Sequence, residues 1–212
     1  MKKIIAAFLA LYLTAGMNSS YAQQAQDTDF NKQIQDAKTG DDVYAVFDKA
    51  MGHYLASNSF DEFVDYLVQS EKKKKSVAPW AAYHTGVARY RQMKYLEQSQ
   101  NWDEYFSKGN DYRQQIMDSL ARAIKAFGVN EPLRVKSNLV LWQFHKDQQD
   151  VFNEQALADL TSVTLEYAKD AKDLKPIKDV ADTLSLYDEK SRARVFYKLY
   201  GEKIISSSMS DE

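Results

Sequence analysis

Residues 44–77 read YAVFDKAMGHYLASNSFDEFVDYLVQSEKKKKSV, and their spacing decides the fold. Phe47, Ala50, Met51 and Tyr54-Leu55 recur at the three- and four-residue intervals that place side chains on one face of a helix. Ser59-Phe60-Asp61-Glu62 has the Ser-x-x-Glu spacing of a capping box, in which each side chain satisfies the other residue's free backbone donor. Phe60, Phe63, Val64 and Leu67 then continue on a second helix. The stretch predicts two helices joined by a short polar turn.

The same periodicity extends in both directions. Phe30, Ile34 and Ala37 make a short stripe before Thr39-Gly40. Val43 to Leu55 follow a weak cap at Thr39 or Asp41. Pro79, Pro132 and Pro176 suit first helical turns, where a missing N–H leaves no bond unmade. The helix after Pro79 carries Trp80, Tyr83, Val87, Tyr90 and Lys94 near one face. Asn101-Trp102-Asp103-Glu104 opens a long segment to Phe127, broken or bent near Gly109. Val135, Leu139, Trp142 and Phe144 mark a further helix. Asp150 caps one with Phe152, Ala156, Leu160, Val163 and Tyr167, and two more follow, Ile177 to Tyr187 and Ser191 to Ile205. About nine helices are expected, with no strand-like alternation.

Composition agrees. The 212 residues hold only 7 glycines and 3 prolines, too few to punctuate the turns of an all-β sandwich, while 44% apolar and 27% charged residues suit amphipathic helices. A 13% aromatic content can bury a core, which argues against disorder. The absence of cysteine excludes disulfides, thiolate metal sites and a cysteine nucleophile.

The first 22 residues read as an address. Lys2-Lys3 is a basic start, Ile4 to Leu13 an apolar run, and Ser20-Tyr21-Ala22 ends in small residues at the positions a signal peptidase reads. The run is too short for about 30 Å of hydrocarbon. A cleaved bacterial signal peptide at 1–22 is therefore expected, with a periplasmic or secreted destination. Residues 23–29 read as a flexible start, 30–205 as the folded domain and 206–212 as a polar tail. The net charge is −2, and losing Lys2 and Lys3 leaves 26 basic side chains against 30 acidic. Such a balance gives no pull towards nucleic acid.

The segment from about 44 to 77 resembles one tetratricopeptide (TPR) repeat. Phe47, Ala50-Met51 and Tyr54 match its first helix, Phe60 the inter-helix aromatic, and Val64 and Leu67 its second helix. Met51, Phe63 and Lys75 depart from the usual glycine, alanine and proline. A second match spans about 174 to 207, with Ile177, Val180, Ala181 and Leu184 followed by Ala193, Tyr197 and Tyr200. Between them Tyr95-Leu96 before Trp102 resembles Tyr54-Leu55 before Phe60 with one residue inserted, and Phe144 before Phe152 resembles it with a longer loop. The aromatic markers 60, 102, 152 and 187 are 42, 50 and 35 residues apart, where a regular array repeats every ~34. An irregular helical bundle with recurring core aromatics is the alternative. The resemblance implies an all-α, right-handed α-solenoid of helical hairpins and a non-enzymatic role in binding a peptide or protein partner. An envelope enzyme or a carbohydrate- or peptidoglycan-binding protein is the other reading.

No catalytic residue, metal site or cofactor is implied. His53, His84 and His145 lack metal-ligand spacing, and His84 is expected to be packed or half-exposed. The pairs Asp41-Asp42, Asp61-Glu62, Asp103-Glu104 and Asp188-Glu189 fall at helix starts, where they cap and complement the dipole. Lys72 to Lys75 ends a helix and reads as a solvated patch. Aromatic residues crowd between Trp80 and Tyr112. Any of them on a concave face would suit a partner, which nominates Tyr83, Tyr90, Tyr95, Trp102, Tyr105 and Tyr112.

Overall fold

The structure, a computed structural model, describes residues 29–210, with side chains through residue 206. The expected signal peptide at 1–22 and all but the last residue of the 23–29 start lie outside the described residues. Among the described residues the chain is all-α. Nine helices follow one another: α1 (29–36), α2 (Gly40–Ala56), α3 (Phe60–Lys73), α4 (Ala78–Gln98), α5 (Trp102–Ala126), α6 (Pro132–Gln148), α7 (Asn153–Asp170), α8 (Lys175–Leu186) and α9 (Lys190–Ser210). A single 3-10 turn, Lys75–Val77, joins α3 to α4. The last helix runs to Ser210, past the boundary expected at 205.

From α2 onward each helix packs on the next, α1 meets α2 through the Phe30 and His53 rings at 5.8 Å, and connections this short make neighbours antiparallel. Contacts also link α2 to α4, α4 to α6 and α6 to α8. The even-numbered helices thus form one continuous layer, and the chain has the pairwise packing of a helical-repeat arrangement.

One turn is built four times. Asn58, Gln100, Gln149 and Asp188 adopt positive φ, at 58°, 57°, 52° and 63°. In each case the N–H of the following residue returns to a carbonyl five residues back: Ser59 to Tyr54 (3.0 Å), Asn101 to Leu96 (2.9 Å), Asp150 to His145 (3.3 Å) and Glu189 to Leu184 (2.8 Å). This left-handed cap satisfies the last carbonyls of a helix and reverses the chain. It joins α2 to α3, α4 to α5, α6 to α7 and α8 to α9, so four hairpins share one turn. The turns also correct the sequence alignment. Leu96, rather than Tyr95, stands where Tyr54 stands, and no residue is inserted before Trp102. Val151, rather than Phe152, stands where Phe60 stands. Phe60 is buried, whereas Trp102 and Phe152 are exposed, so the aromatic markers are not equivalent core positions. Their uneven spacing follows helix length, since α2 and α3 have 17 and 14 residues while α4 and α5 have 21 and 25.

The core falls into two clusters that share α6 as a wall. Leu133 and Phe144 face the first, with α1 to α5, and Val135, Leu139 and Trp142 face the second, with α7 to α9. α4 is enclosed by α2, α3, α5 and α6. Its buried residues run almost without break from Ala81 to Arg89, so the expected single apolar face is corrected to burial on all sides. On α9 the stripe is Ala193 and Phe196, with Tyr197 exposed and its hydroxyl donating to Asp182 Oδ1 at 2.8 Å.

Local chemistry refines the helix starts. Thr39 caps α2 in a reciprocal box, with Asp42 N–H to Thr39 Oγ1 at 3.1 Å and Thr39 N–H to Asp42 Oδ2 at 2.9 Å. The box expected at Ser59 does not form: no side chain caps α3, and the Ser59 N–H, which Glu62 would have accepted, goes to the Tyr54 carbonyl at 3.0 Å. Asn101 caps α5, and that helix is unbroken at Gly109. Pro79, Pro132 and Pro176 each sit in a first turn.

Candidate functional site

The N-terminal ends of the even-numbered helices converge on one cleft of about 510 Å³. α2 contributes Thr39, Gly40, Asp41 and Tyr44, α4 contributes Trp80, and α6 contributes Pro132, Leu133 and Lys136. Glu131 and Asp173 stand just ahead of α6 and α8. The positions follow from local sequence. Thr39 starts α2, Pro132 starts α6, and Gly40 lets the Trp80 indole lie against the backbone, since a Cβ there would meet Trp80 Cζ2 at 2.5 Å.

The cleft couples ring faces to charge. The Lys136 ammonium lies 5.0 Å from the centre of the Tyr44 ring, the geometry of a cation–π contact. Burial and then the charge of Asp48 push the Tyr44 phenol up from its ordinary pKa. Below it, the His84 ring packs among Tyr44, Phe47 and Tyr83 at 5.2, 5.6 and 5.1 Å. His84 is fully buried rather than half-exposed. Its Nδ1 lies 2.8 Å from the Trp80 carbonyl, an acceptor, so Nδ1 carries the proton and the sealed Nε2 has no partner. Burial without a counter-charge lowers its pKa to about 4.

Further along the even layer, α4, α6 and α8 meet through polar groups. The Tyr90 hydroxyl donates to Asp147 Oδ2, Lys94 Nζ reaches the same oxygen at 3.1 Å, and Tyr187 joins them. Burial, then the Asp147 hydrogen bond, raises the Tyr90 pKa strongly.

The six nominated aromatics divide by position. Tyr83 and Tyr112 are buried in the first core cluster, Tyr112 beneath the Arg89 guanidinium at 4.9 Å. Tyr90 is half-buried in the Asp147 network. Tyr95 is exposed and its ring packs on Phe60 at 5.7 Å. Trp102 is 44% exposed and stacks on Phe106, itself 75% exposed, with ring centres 6.2 Å apart. Half-buried Tyr105 meets both edge-on. Trp102, Tyr105 and Phe106 therefore form one solvent-facing cluster at the start of α5, away from the cleft. Tyr44 and Lys136 escape sequence reasoning because a cleft between helix ends leaves no periodic trace, and Trp80 stands in the aromatic crowd without being among the six nominated. The Gly40 and Pro132 helix starts were the available signals.

His145 also gains a partner that helical spacing hides. Its Nδ1 lies 2.7 Å from Asp150 Oδ2 across the left-handed turn at Gln149. Among the described residues no group of three or more His, Cys, Asp or Glu side chains could hold a metal ion. None of the helices described is long and apolar enough to cross a membrane. No protein-family model matches the chain, and no curated protein or solved structure matches it.

Proposed function

We propose that this chain is a non-enzymatic interaction module, a right-handed TPR-like stack of hairpins acting outside the cytoplasm, that holds a partner polypeptide in the even-layer cleft. One observation carries the reading: the ends of successive hairpins converge on a cleft where Tyr44 and Trp80 stand beside Lys136, Asp41 and Glu131. Aromatic faces next to isolated charges suit a peptide, whose side chains bring both apolar surface and complementary charge. The leader pattern at 1–22 supports a periplasmic or secreted site, and the acidic balance of the rest argues against a nucleic-acid partner.

The test is affinity capture from bacterial envelope extract with residues 23–212, run beside Lys136→Glu. The expected result is a protein partner recovered by the parent and lost with the charge reversal. A second reading, an envelope enzyme or carbohydrate- or peptidoglycan-binding protein, is favoured by the exposed Trp102–Phe106 stack, since sugar rings lie against such faces. Retention on peptidoglycan, no protein partner, and loss of that retention in Trp102→Ala would replace the first reading with this one.

A further inference from the structure

A second cleft, of about 290 Å³, opens between α5 and α7 with α6 as its floor. It lies on another side of α6 from the first. Lys136 lines one and Asn138 the other, and two residues along a helix turn the direction by about 200°. Its walls are largely apolar: Met117 from α5, Leu141 from α6, Phe152 and Ala156 from the α7 side. Phe152 is 59% exposed and adds an aromatic face to that wall.

One polar group in this apolar setting is built in. His145 is only 6% exposed and lines the cleft. The Asp150 carboxylate accepts from His145 Nδ1 at 2.7 Å and from the Phe152 N–H at 2.9 Å, so one side chain orients both the imidazole and the start of α7. A carboxylate only accepts, so Nδ1 carries a proton, and in the neutral imidazole Nε2 keeps a lone pair. No hydrogen bond to that Nε2 is made among the described residues, and His145 borders the open cleft whereas the Nε2 of His84 is sealed in the core. The rim adds a second acceptor, Asp159, with one oxygen held by Gln155 Nε2 at 2.8 Å.

We propose that this cleft is an anchor pocket for an aromatic side chain that carries a hydrogen-bond donor, tyrosine or tryptophan, presented by a partner polypeptide, with His145 Nε2 as the acceptor. The volume sits at the lower limit for small-molecule sites and suits one side chain. Tyr and Trp are the residues that most often fill such pockets, because each couples a large apolar body to one donor. A polypeptide is the occupant because the seam is open at exposed Ala121 and Gln155, so a chain can run between α5 and α7 while its side chain inserts. The proposal does not depend on the even-layer cleft, and its test leaves Lys136 intact.

The test uses the full chain with N-acetyl-tyrosinamide, N-acetyl-phenylalaninamide and a capped Gly-Gly-Tyr-Gly-Gly peptide, followed by imidazole nitrogen resonances. The tyrosine compound is expected to move the His145 Nε2 resonance and to bind about tenfold more tightly than the phenylalanine compound, the worth of one hydrogen bond. His145→Phe should erase that preference, while His145→Gln, which retains an acceptor, should keep part of it. The pentapeptide should bind at least as tightly as the capped amino acid. Equal binding of the tyrosine and phenylalanine compounds, or an unmoved Nε2 resonance at millimolar ligand, overturns the proposal. Binding of the capped amino acid but not of the pentapeptide overturns the polypeptide as occupant.

Discussion

Lys74 Nζ lies 2.6 Å from the carbonyl oxygen of Ala37 and also reaches the carbonyls of Ile34 at 3.0 Å and Gln35 at 3.3 Å. A lysine from the end of α3 thereby satisfies the unpaired C-terminal carbonyls of α1, where a cation also favours the helix dipole. The four-lysine run is thus not uniformly a solvated patch. Lys73 reaches Asn31 Oδ1 at 3.2 Å, while Lys72 is exposed.

Replacing Lys74 with methionine should loosen the C-terminal end of α1, while buried Phe30 and Ile34 keep the helix on the core. The cost is expected at about 1–2 kcal/mol, the range for a hydrogen-bonded charge at a partly exposed site. Hydrogen exchange would show faster amides over residues 31–37. Lys72→Met, five atoms of chain with no such role, should leave those rates unchanged.

α4 and α5 are in tight contact at Gly86, where an added Cβ would fall 2.6 Å from Leu120 Cγ. Leu120 is fully buried and has no room to withdraw. Gly86→Ala should therefore destabilise by roughly 1–3 kcal/mol through overpacking, despite alanine's better helix propensity. Urea unfolding of Gly86→Ala with and without Leu120→Val measures this, and the second substitution should recover part of the loss.

Arg89 is buried at the centre of the α3–α4–α5 contact. It pairs with Asp61, donates through Nε to Gln115 Oε1 at 2.7 Å and through Nη1 to Gln92, and covers the Tyr112 ring. Burial raises the Asp61 pKa, but hydrogen bonding and charge from Arg89 outweigh it and leave the carboxyl below its usual range. Arg89→Met should cost about 2–4 kcal/mol, because several acceptors lose one donor together. Lysine should not rescue it, since a point charge cannot address separate acceptors as a planar fork does. Asp61→Asn should cost far less, as that side chain is half exposed. Thermal unfolding of the three variants ranks them.

His84 makes the fold sensitive to mild acid. Its pKa is about 4 in the folded chain against an ordinary 6.5, so the unfolded chain binds the proton first as pH falls. Stability should decline from about pH 6.5, with the full loss of roughly 3 kcal/mol reached below about 4. His84→Phe should flatten that limb of the pH profile of the urea midpoint. The carboxyls of Asp42, Asp61, Asp182, Asp188 and Glu189, held low by their partners, would still lose their contribution at lower pH.

The four left-handed turns offer a gain. Gln100 and Gln149 hold φ near +55°, where a Cβ crowds the following carbonyl. Glycine at either position should stabilise the chain by up to about 1 kcal/mol, the relief of strain exceeding the added freedom of the unfolded state. Asn58→Gly should gain less, since asparagine tolerates this conformation. Chemical denaturation of the three variants provides the comparison.

The helices and their starts were legible because they depend on neighbours in sequence. Phe47, Ala50 and Tyr54 face the core at the spacing a helix imposes, and Pro79, Pro132 and Pro176 stand where a missing N–H does no harm. The hairpin turns were less legible. Asn58, Gln100, Gln149 and Asp188 share a backbone conformation but no side-chain chemistry, so aromatic markers were aligned one residue out of register at Leu96 and Val151. The six nominated aromatics could not be sorted either. Tyr112 is buried and Trp102 exposed because the neighbours that cover them come from other helices.

What this sequence determined by itself is therefore the all-α class, the helix boundaries within a few residues and the expectation of stacked hairpins, all consequences of local periodicity and capping. Tertiary structure alone decided that Lys74 closes α1, that α6 divides the core, that Tyr44, Trp80 and Lys136 share a cleft, and that His145 meets Asp150 beside an open apolar pocket. Periodicity tells which face of a helix is apolar. It does not tell which helix will cover that face, and both clefts described are made where two or more helices meet.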